Sequence, residues 1–168
     1  KSHDIKNLSR NSDYFNLKFK IDINSTIFIY IGNFSKGRGI NKLLDIFKDL
    51  YSYNADLIFI GYGRLTNLIK NEALINSNIH YHPSINFEDL IGIIRNADYG
   101  LCLIEPVSLS DEFSLPNKLF EYSFAGLNII ASDLPDIREV TNNHNLGYVT
   151  DLSNGSIKNT IIKAIDNK

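Results

Sequence analysis

The sequence predicts an α/β domain: a doubly wound parallel sheet of about six strands with helices on both faces. Three observations lead there. Strand-like and helix-like stretches alternate along most of the chain, the pattern of right-handed strand–helix–strand crossovers. The clearest strand, Thr26-Ile27-Phe28-Ile29-Tyr30-Ile31, is a continuous apolar run, as expected of a parallel strand covered on both sides. Glycines, prolines and charges collect just after the strands, where an open parallel sheet binds its ligands.

The elements follow in order. Residues 1–25 are polar and weakly patterned and read as a lead-in or linker from an N-terminal domain outside this chain; Tyr14, Phe15, Leu17 and Phe19 could pack as a short arm. The first strand ends at Gly32, and after a loop from Asn33 to Gly39 the apolar positions Ile40, Leu43, Leu44, Phe47 and Leu50 recur with helical spacing. Asp56 to Ile60 is the second strand, closed by Gly61-Tyr62-Gly63, and a helix runs from Arg64 to about Ala73. Asn78 to Tyr81 is a short third strand ending near His82-Pro83, followed by a helix from Phe87 to about Ala97 and a fourth strand from Asp98 to Ile104. A polar loop then reaches Pro116, which opens a helix in its first turn, with Ser114 as its N-cap and Gly126 at its exit. Leu127 to Ala131 is a fifth strand, Pro135 to about Thr141 a short helix, Leu146 to Thr150 a weaker sixth strand, and Asn154 to Ile165 a final helix.

Composition narrows the function classes. Hydrophobic residues make up 43% and charged residues 21%, an ordinary globular balance, and the net charge of −2 gives no general argument for nucleic acid or an anionic membrane. The single cysteine, Cys102, sits in an apolar strand and reads as a buried small hydrophobe. No signal peptide or spanning apolar run is visible, and a chain that begins at Lys1 and has no methionine reads as a fragment or excised domain.

Chemistry is expected at four loops. Gly32-Asn33-Phe34-Ser35-Lys36-Gly37-Arg38-Gly39 sets three glycines and two cations between a strand and a helix. Glycine lets a backbone approach closely, and arginine can hold phosphate oxygens with a planar fork; a solvated turn is the alternative. Gly61-Tyr62-Gly63 is a tight turn whose tyrosine could stack on a ligand or cover the sheet edge. His82 reads first as a hydrogen-bonded structural residue, with a ligand or base role as the alternative. Leu115-Pro116-Asn117-Lys118 begins a helix at a strand's carboxyl end, offering free N–H donors to an anion, and Glu121 shares a face with Lys118. Glu121 is either a surface partner of Lys118 or an acceptor for a pair of sugar hydroxyls, and Asp111-Glu112 read as a solvated loop. No histidine, cysteine or carboxylate spacing suggests a metal site.

Taken together, these motifs resemble the C-terminal, donor-binding half of a GT-B glycosyltransferase of the group 1 (family 4) kind. The resemblance covers nearly all of the chain after about residue 25 and rests on four stretches in order: Ile31-Gly32 running to Arg38-Gly39, Ile60 to Gly63, Leu115 to Tyr122 into Ala125-Gly126, and Ile129 to Ser132 running to Glu139. It implies that residues 26–168 form a Rossmann-like donor-binding domain of a longer enzyme. The donor would be a nucleotide-diphosphate-sugar, and the acceptor a glycan or lipid-linked molecule bound through the N-terminal domain. It further implies transfer with retention of configuration, no cofactor or metal, and no nucleic-acid partner. The implied location is cytoplasmic, with the full-length protein peripheral at the inner face of the membrane.

Arg38 and Glu121 are the implied catalytic residues: Arg38 stabilises the leaving diphosphate and Glu121 holds the ribose. Gly32, Asn33, Lys36, Gly37, Gly61, Tyr62, Gly63, His82, Leu115, Pro116, Asn117 and Lys118 are the implied donor-binding residues. Two positions depart from the family pattern. Asn33 stands where an arginine is usual, and Phe113 where a first glutamate, eight before Glu121, is usual. Those departures keep a non-catalytic nucleotide-binding or assembly domain open, and a nucleotide-sugar epimerase of the same architecture is the other enzyme reading. A receiver domain is disfavoured because the first strand ends in Gly32-Asn33, not in an acidic pair.

Overall fold

The computed structural model describes residues 13–168; the earlier part of the lead-in segment lies outside the described residues. The elements are α1 (Tyr14–Phe19), β1 (Thr26–Asn33), α2 (Ile40–Asp49), β2 (Ala55–Tyr62), α3 (Thr66–Ile75), β3 (Ile79–His82), α4 (Phe87–Ile94), β4 (Tyr99–Cys102), α5 (Leu109–Glu112), α6 (Asn117–Ala125), β5 (Asn128–Ser132), α7 (Pro135–Asn143), β6 (Gly147–Thr150) and α8 (Asn154–Asp166). All six strands form one parallel sheet in the order β3-β2-β1-β4-β5-β6. This is the doubly wound α/β fold that the alternation predicts, and its strand order reverses between β1 and β4.

The period-two geometry of the strands sorts the core into two layers. From β1, Phe28 and Tyr30 face one way, into a cluster with Leu43 and Phe47 of α2, Ile69 of α3 and Ile157 of α8. Ile27, Ile29 and Ile31 face the other way, against Phe15 of α1, Ile93 of α4, Leu119 and Tyr122 of α6, and Ile137 of α7. Both faces of β1 are therefore dry, which is why its sequence is an unbroken apolar run. Cys102 is fully buried, as its apolar strand suggests.

The structure corrects several expected boundaries. β4 ends at Cys102, not Ile104: the Ile104 N–H turns to Ser132 Oγ at 2.6 Å, so the chain leaves the ladder early. α4 ends at Ile94, not near Ala97, because residues 95–97 close in turns, with the Ala97 N–H on Ile94 O. α6 begins at Asn117, with Pro116 as its extended N-cap residue (φ −71°, ψ 143°) and no side-chain cap. Ser114 does not cap it; its hydroxyl donates to Asp111 O at 3.0 Å. The loop before α6 makes a small helix of its own, α5, capped by Ser108, and that helix claims Ser114. The described part of the lead-in also folds: α1 buries Phe15 completely.

Candidate functional site

The site starts from a gap in the sheet. β1 and β4 pair only at Phe28↔Tyr99 and Ile29↔Gly100, then diverge. A buried tyrosine of α6 fills the opening. The Tyr122 hydroxyl accepts from Ile31 N–H at 3.1 Å and lies 3.1 Å from Leu101 O, to which it can donate, so one side chain ties the two parting strands together. Its ring needs glycine opposite: a Cβ on Gly100 would sit 2.2 Å from the ring. With Tyr122 anchored, the start of α6 rests over the carboxyl ends of β1 and β4, where open α/β sheets place their ligands.

Two side chains of α6 point toward the end of β1. Lys118 Nζ lies 3.8 Å from the Tyr30 ring centroid and 3.8 Å from where a Cβ on Gly32 would be, so it roofs a bare stretch of backbone. The residue is partly exposed, yet its ammonium is enclosed. Burial pushes its pKa down from 10.5 to about 8; Cys102 opposes this, the charge of Arg38 adds a smaller push downward, and Glu121 a still smaller one upward. Burial also raises Glu121, with the Lys118 charge pulling it back. Glu121 lines a cavity of about 150 Å³ together with Ile31, Gly32, Gly61, Tyr62 and Ile85. Gly61 has no alternative here: its φ is +147°, and a Cβ would fall 2.0 Å from Gly32 O.

Arg38 sits at the far end of the β1–α2 loop, near enough to depress Lys118. Its Nη1 pairs with Asp111 Oδ1 at 3.3 Å, and Asp111 in turn accepts from Ser108 Oγ at 2.8 Å. Hydrogen bonding from Ser108, then the Arg38 contact, hold the Asp111 carboxyl below its usual range despite an opposing burial effect. Asp111 is thus not the solvated loop residue that its sequence neighbourhood suggests. The loops are also joined by Glu105 N–H on Gly37 O at 3.0 Å and by Lys42 with Glu105 at 3.9 Å.

The structure brings Gly32, Gly61, Tyr62, Lys118 and Glu121 together, with Arg38 beside them. Asn33 ends β1, next to Tyr62 in register, its carbonyl receiving the Tyr30 hydroxyl at 2.8 Å. Gly63 follows, packed where a Cβ would meet Asn33 Oδ1 at 2.4 Å. Lys36 and Gly37 line a different, larger cavity of about 350 Å³ with Asn41, Lys42, Glu105 and Val107. Leu115, Pro116 and Asn117 lead into α6, Leu115 and Asn117 being exposed. His82 is buried with both ring nitrogens occupied, by Tyr14 and by Pro83 O. Tyr30, Asp111 and Tyr122 are the contributors that the sequence reading missed. Only the position of Tyr122, one residue after Glu121 on an apolar helix, could have drawn attention to it. Among the described residues no group of three or more histidine, cysteine or acidic side chains is placed to hold a metal ion.

The family model for glycosyl transferases group 1 matches residues 13–168. The chain belongs to that family. The fold of this group 1 glycosyl transferase chain agrees with solved structures. WaaG, a glycosyltransferase involved in lipopolysaccharide biosynthesis, superposes with a TM-score of 0.68 at 16% identity, over 92% of this chain and 41% of WaaG. The Anabaena protein Alr3699/HepE, solved in complex with UDP and glucose, gives a TM-score of 0.70 at 15% identity, over 92% of this chain and 42% of that one. An E. coli trehalose-6-phosphate protein bound with UDP-2-fluoro glucose gives 0.63 at 15% identity, over 95% of this chain and 39% of that one. The chain therefore spans about two fifths of the length of the solved structures it matches. No curated protein matches its sequence. The shared architecture is the Rossmann-like half of a GT-B glycosyltransferase. No helix among the described residues is long and apolar enough to cross a membrane.

Proposed function

We propose that this chain is the donor-binding half of a retaining glycosyltransferase that moves a hexosyl group from a nucleoside-diphosphate-sugar to a glycan or lipid-linked acceptor. One observation carries the reading. Lys118 and Glu121 occupy a single face of α6, Lys118 over the bare glycine end of β1 with Arg38 near it, and Glu121 in the cavity that the same Gly32 lines. In this reading the diphosphate lies over Gly32 and the first amides of α6. Lys118 and Arg38 neutralise it, and Asp111 gives up or shares its hold on Arg38. Glu121 accepts hydrogen bonds from the ribose hydroxyls, and the nucleoside enters the cavity between Gly61, Tyr62 and Ile85.

The chemistry follows from the charges. As the bond from the anomeric carbon to the diphosphate oxygen breaks, negative charge grows on the leaving group. Two fixed cations and oriented amide dipoles stabilise that charge more than they stabilise the intact donor. No metal or cofactor is called for in this scheme. The acceptor is assigned to the remainder of the full-length protein, which works in the cytoplasm or at the inner face of the membrane, and this chain alone is expected to bind donor without turnover.

Isothermal titration of the chain with UDP, GDP and ADP tests the reading. Saturable binding of one of them, weakened tenfold or more by Lys118→Ala and by Glu121→Ala, is the expected result. Binding unaffected by either change removes the proposed site.

A further inference from the structure

His82 was a candidate for ligand contact, yet the structure gives its ring two internal partners. Nδ1 is 2.6 Å from the carbonyl of Pro83, which can only accept. Nδ1 therefore carries the proton, and the neutral ring leaves Nε2 free to accept. What donates to it is the hydroxyl of Tyr14, at 2.8 Å. Tyr14 lies on α1, sixty-eight residues earlier in the chain, and the ring of Phe19 from the same helix reaches the imidazole edge-on at 6.3 Å. The residues directly after Pro83 are Ser84 and Ile85, and both line the cavity that Glu121 faces. A continuous chain of contacts thus runs from α1, through one histidine, into the cavity wall.

We propose that Tyr14 and His82 are a positioning pair that sets the Ser84–Ile85 wall of the nucleoside cavity, so that docking of the lead-in helix tunes nucleoside binding. This rests on the reading of the cavity given above. The Pro83 carbonyl is the last backbone group before the wall, and Nδ1–H of His82 fixes its direction. Tyr14 fixes the ring, because a ring turned about its own axis would lose both bonds together. Apolar packing alone would hold α1 in place without selecting the orientation of that carbonyl.

The arrangement favours the neutral ring. With Nδ1–H committed to Pro83, a second proton at Nε2 turns the Tyr14 bond round, Nε2–H then donating to the phenol oxygen, and sets a charge where burial opposes it. Among the described residues the charged and titratable groups around the ring are few. From α1 they are Tyr14 and Lys18, whose cation opposes a second positive charge. Two residues back along β3 is His80, which Asp56 of β2 holds at 2.7 Å, while β2 and the cavity side present Ile60, Ile85 and Leu90. Burial, against the Pro83 bond and with Lys18, keeps the His82 pKa below 6.5.

The test compares two probes on the chain from pH 5 to pH 8. A nucleoside diphosphate (UDP, GDP or ADP, whichever binds) needs the wall; inorganic pyrophosphate needs only the cations. Tyr14→Phe removes one hydroxyl and keeps the ring, which packs on Phe15 at 5.2 Å. Its expected effect is a roughly three- to tenfold loss of nucleoside diphosphate affinity, the scale of one hydrogen bond, with pyrophosphate binding unchanged. In the wild-type chain the ratio of the two affinities falls as pH drops below 6.5. His82→Asn removes the pH step altogether. A Tyr14→Phe chain with an unchanged affinity ratio overturns the proposal while leaving the donor site standing. A wild-type chain that binds pyrophosphate but no nucleoside diphosphate overturns both the proposal and the nucleoside reading.

Discussion

Replacing Lys118 with methionine stabilises the ligand-free chain and weakens its grip on a nucleoside diphosphate. Enclosure of the ammonium lowers its pKa from 10.5 to about 8, which corresponds to about 3 kcal/mol of unfavourable free energy at neutral pH. The contact with the Tyr30 ring, 3.8 Å from its centroid, offsets about 1–2 kcal/mol of that. Methionine keeps the apolar length of the side chain and carries no charge, so the variant should be more stable by about 1–2 kcal/mol, a rise of about 3–6 °C in Tm for a domain of this size.

The pH dependence has a definite sign. Below about 8 the lysine is charged in both the folded and unfolded states, and the fold bears the full penalty. Between about 8 and 10.5 the folded state sheds the proton first, so wild-type stability rises with pH and the gain from methionine shrinks. Thermal unfolding of the two chains at pH 7 and pH 9.5 measures both effects. Calorimetric titration with a nucleoside diphosphate should show a loss of roughly ten- to hundredfold, the scale of a hydrogen bond to a charged group. Wild-type affinity should also fall as pH rises through about 8. A variant less stable than wild type at pH 7, or a stability gap that does not change with pH, refutes the account of Lys118 as a strained cation.

Three other substitutions bear on the same region. Tyr122→Phe removes the hydroxyl that receives Ile31 N–H and reaches Leu101 O, and should cost about 1–3 kcal/mol in chemical denaturation because buried groups are left unpaired. Gly61→Ala puts a Cβ 2.0 Å from Gly32 O at a φ of +147°, so the chain should lose at least about 2 kcal/mol or fail to accumulate folded, as read by circular dichroism. Asp111→Asn releases Arg38 from a partly exposed ion pair, and nucleoside diphosphate affinity should rise by up to about fivefold in low salt, the worth of such a pair; a fall in affinity would mean that Asp111 orients Arg38 for the ligand.

Much of the fold was legible in the sequence because burial on both sides of a parallel sheet leaves a periodic trace. The unbroken apolar run of β1 and the helical spacing of Ile40, Leu43, Leu44 and Phe47 are local consequences of where each side chain ends up. So too with the glycine ends of β1 and β2, in register at Gly32↔Gly61, where both hold positive φ and a Cβ on Gly61 would strike the Gly32 carbonyl. Lys118 and Glu121 were legible as a pair because three residues on a helix define a face. The ends of elements were less so. Pro116 looks like a first-turn residue by its chemistry, but the chain before α6 first forms α5, which Ser108 caps and whose Asp111 meets Arg38 from another loop.

By itself, then, the sequence determined the order of strands and helices, the two-sided core and the loops in which polar chemistry collects. Each of those follows from short-range periodicity and from the conformational limits of glycine and proline. Only the tertiary structure decided that Tyr122 spans the parting of β1 and β4, that Tyr30 lies beneath the Lys118 ammonium, and that Arg38 is held by Asp111. It also decided that His82 faces Tyr14 and Pro83 inside the protein. The Tyr14–His82, Arg38–Asp111, Tyr30–Lys118 and Ile31–Tyr122 contacts join residues 68 to 91 positions apart, and no local pattern encodes them. They arise when the sheet brings distant loops to one rim and the buried polar atoms there must find partners.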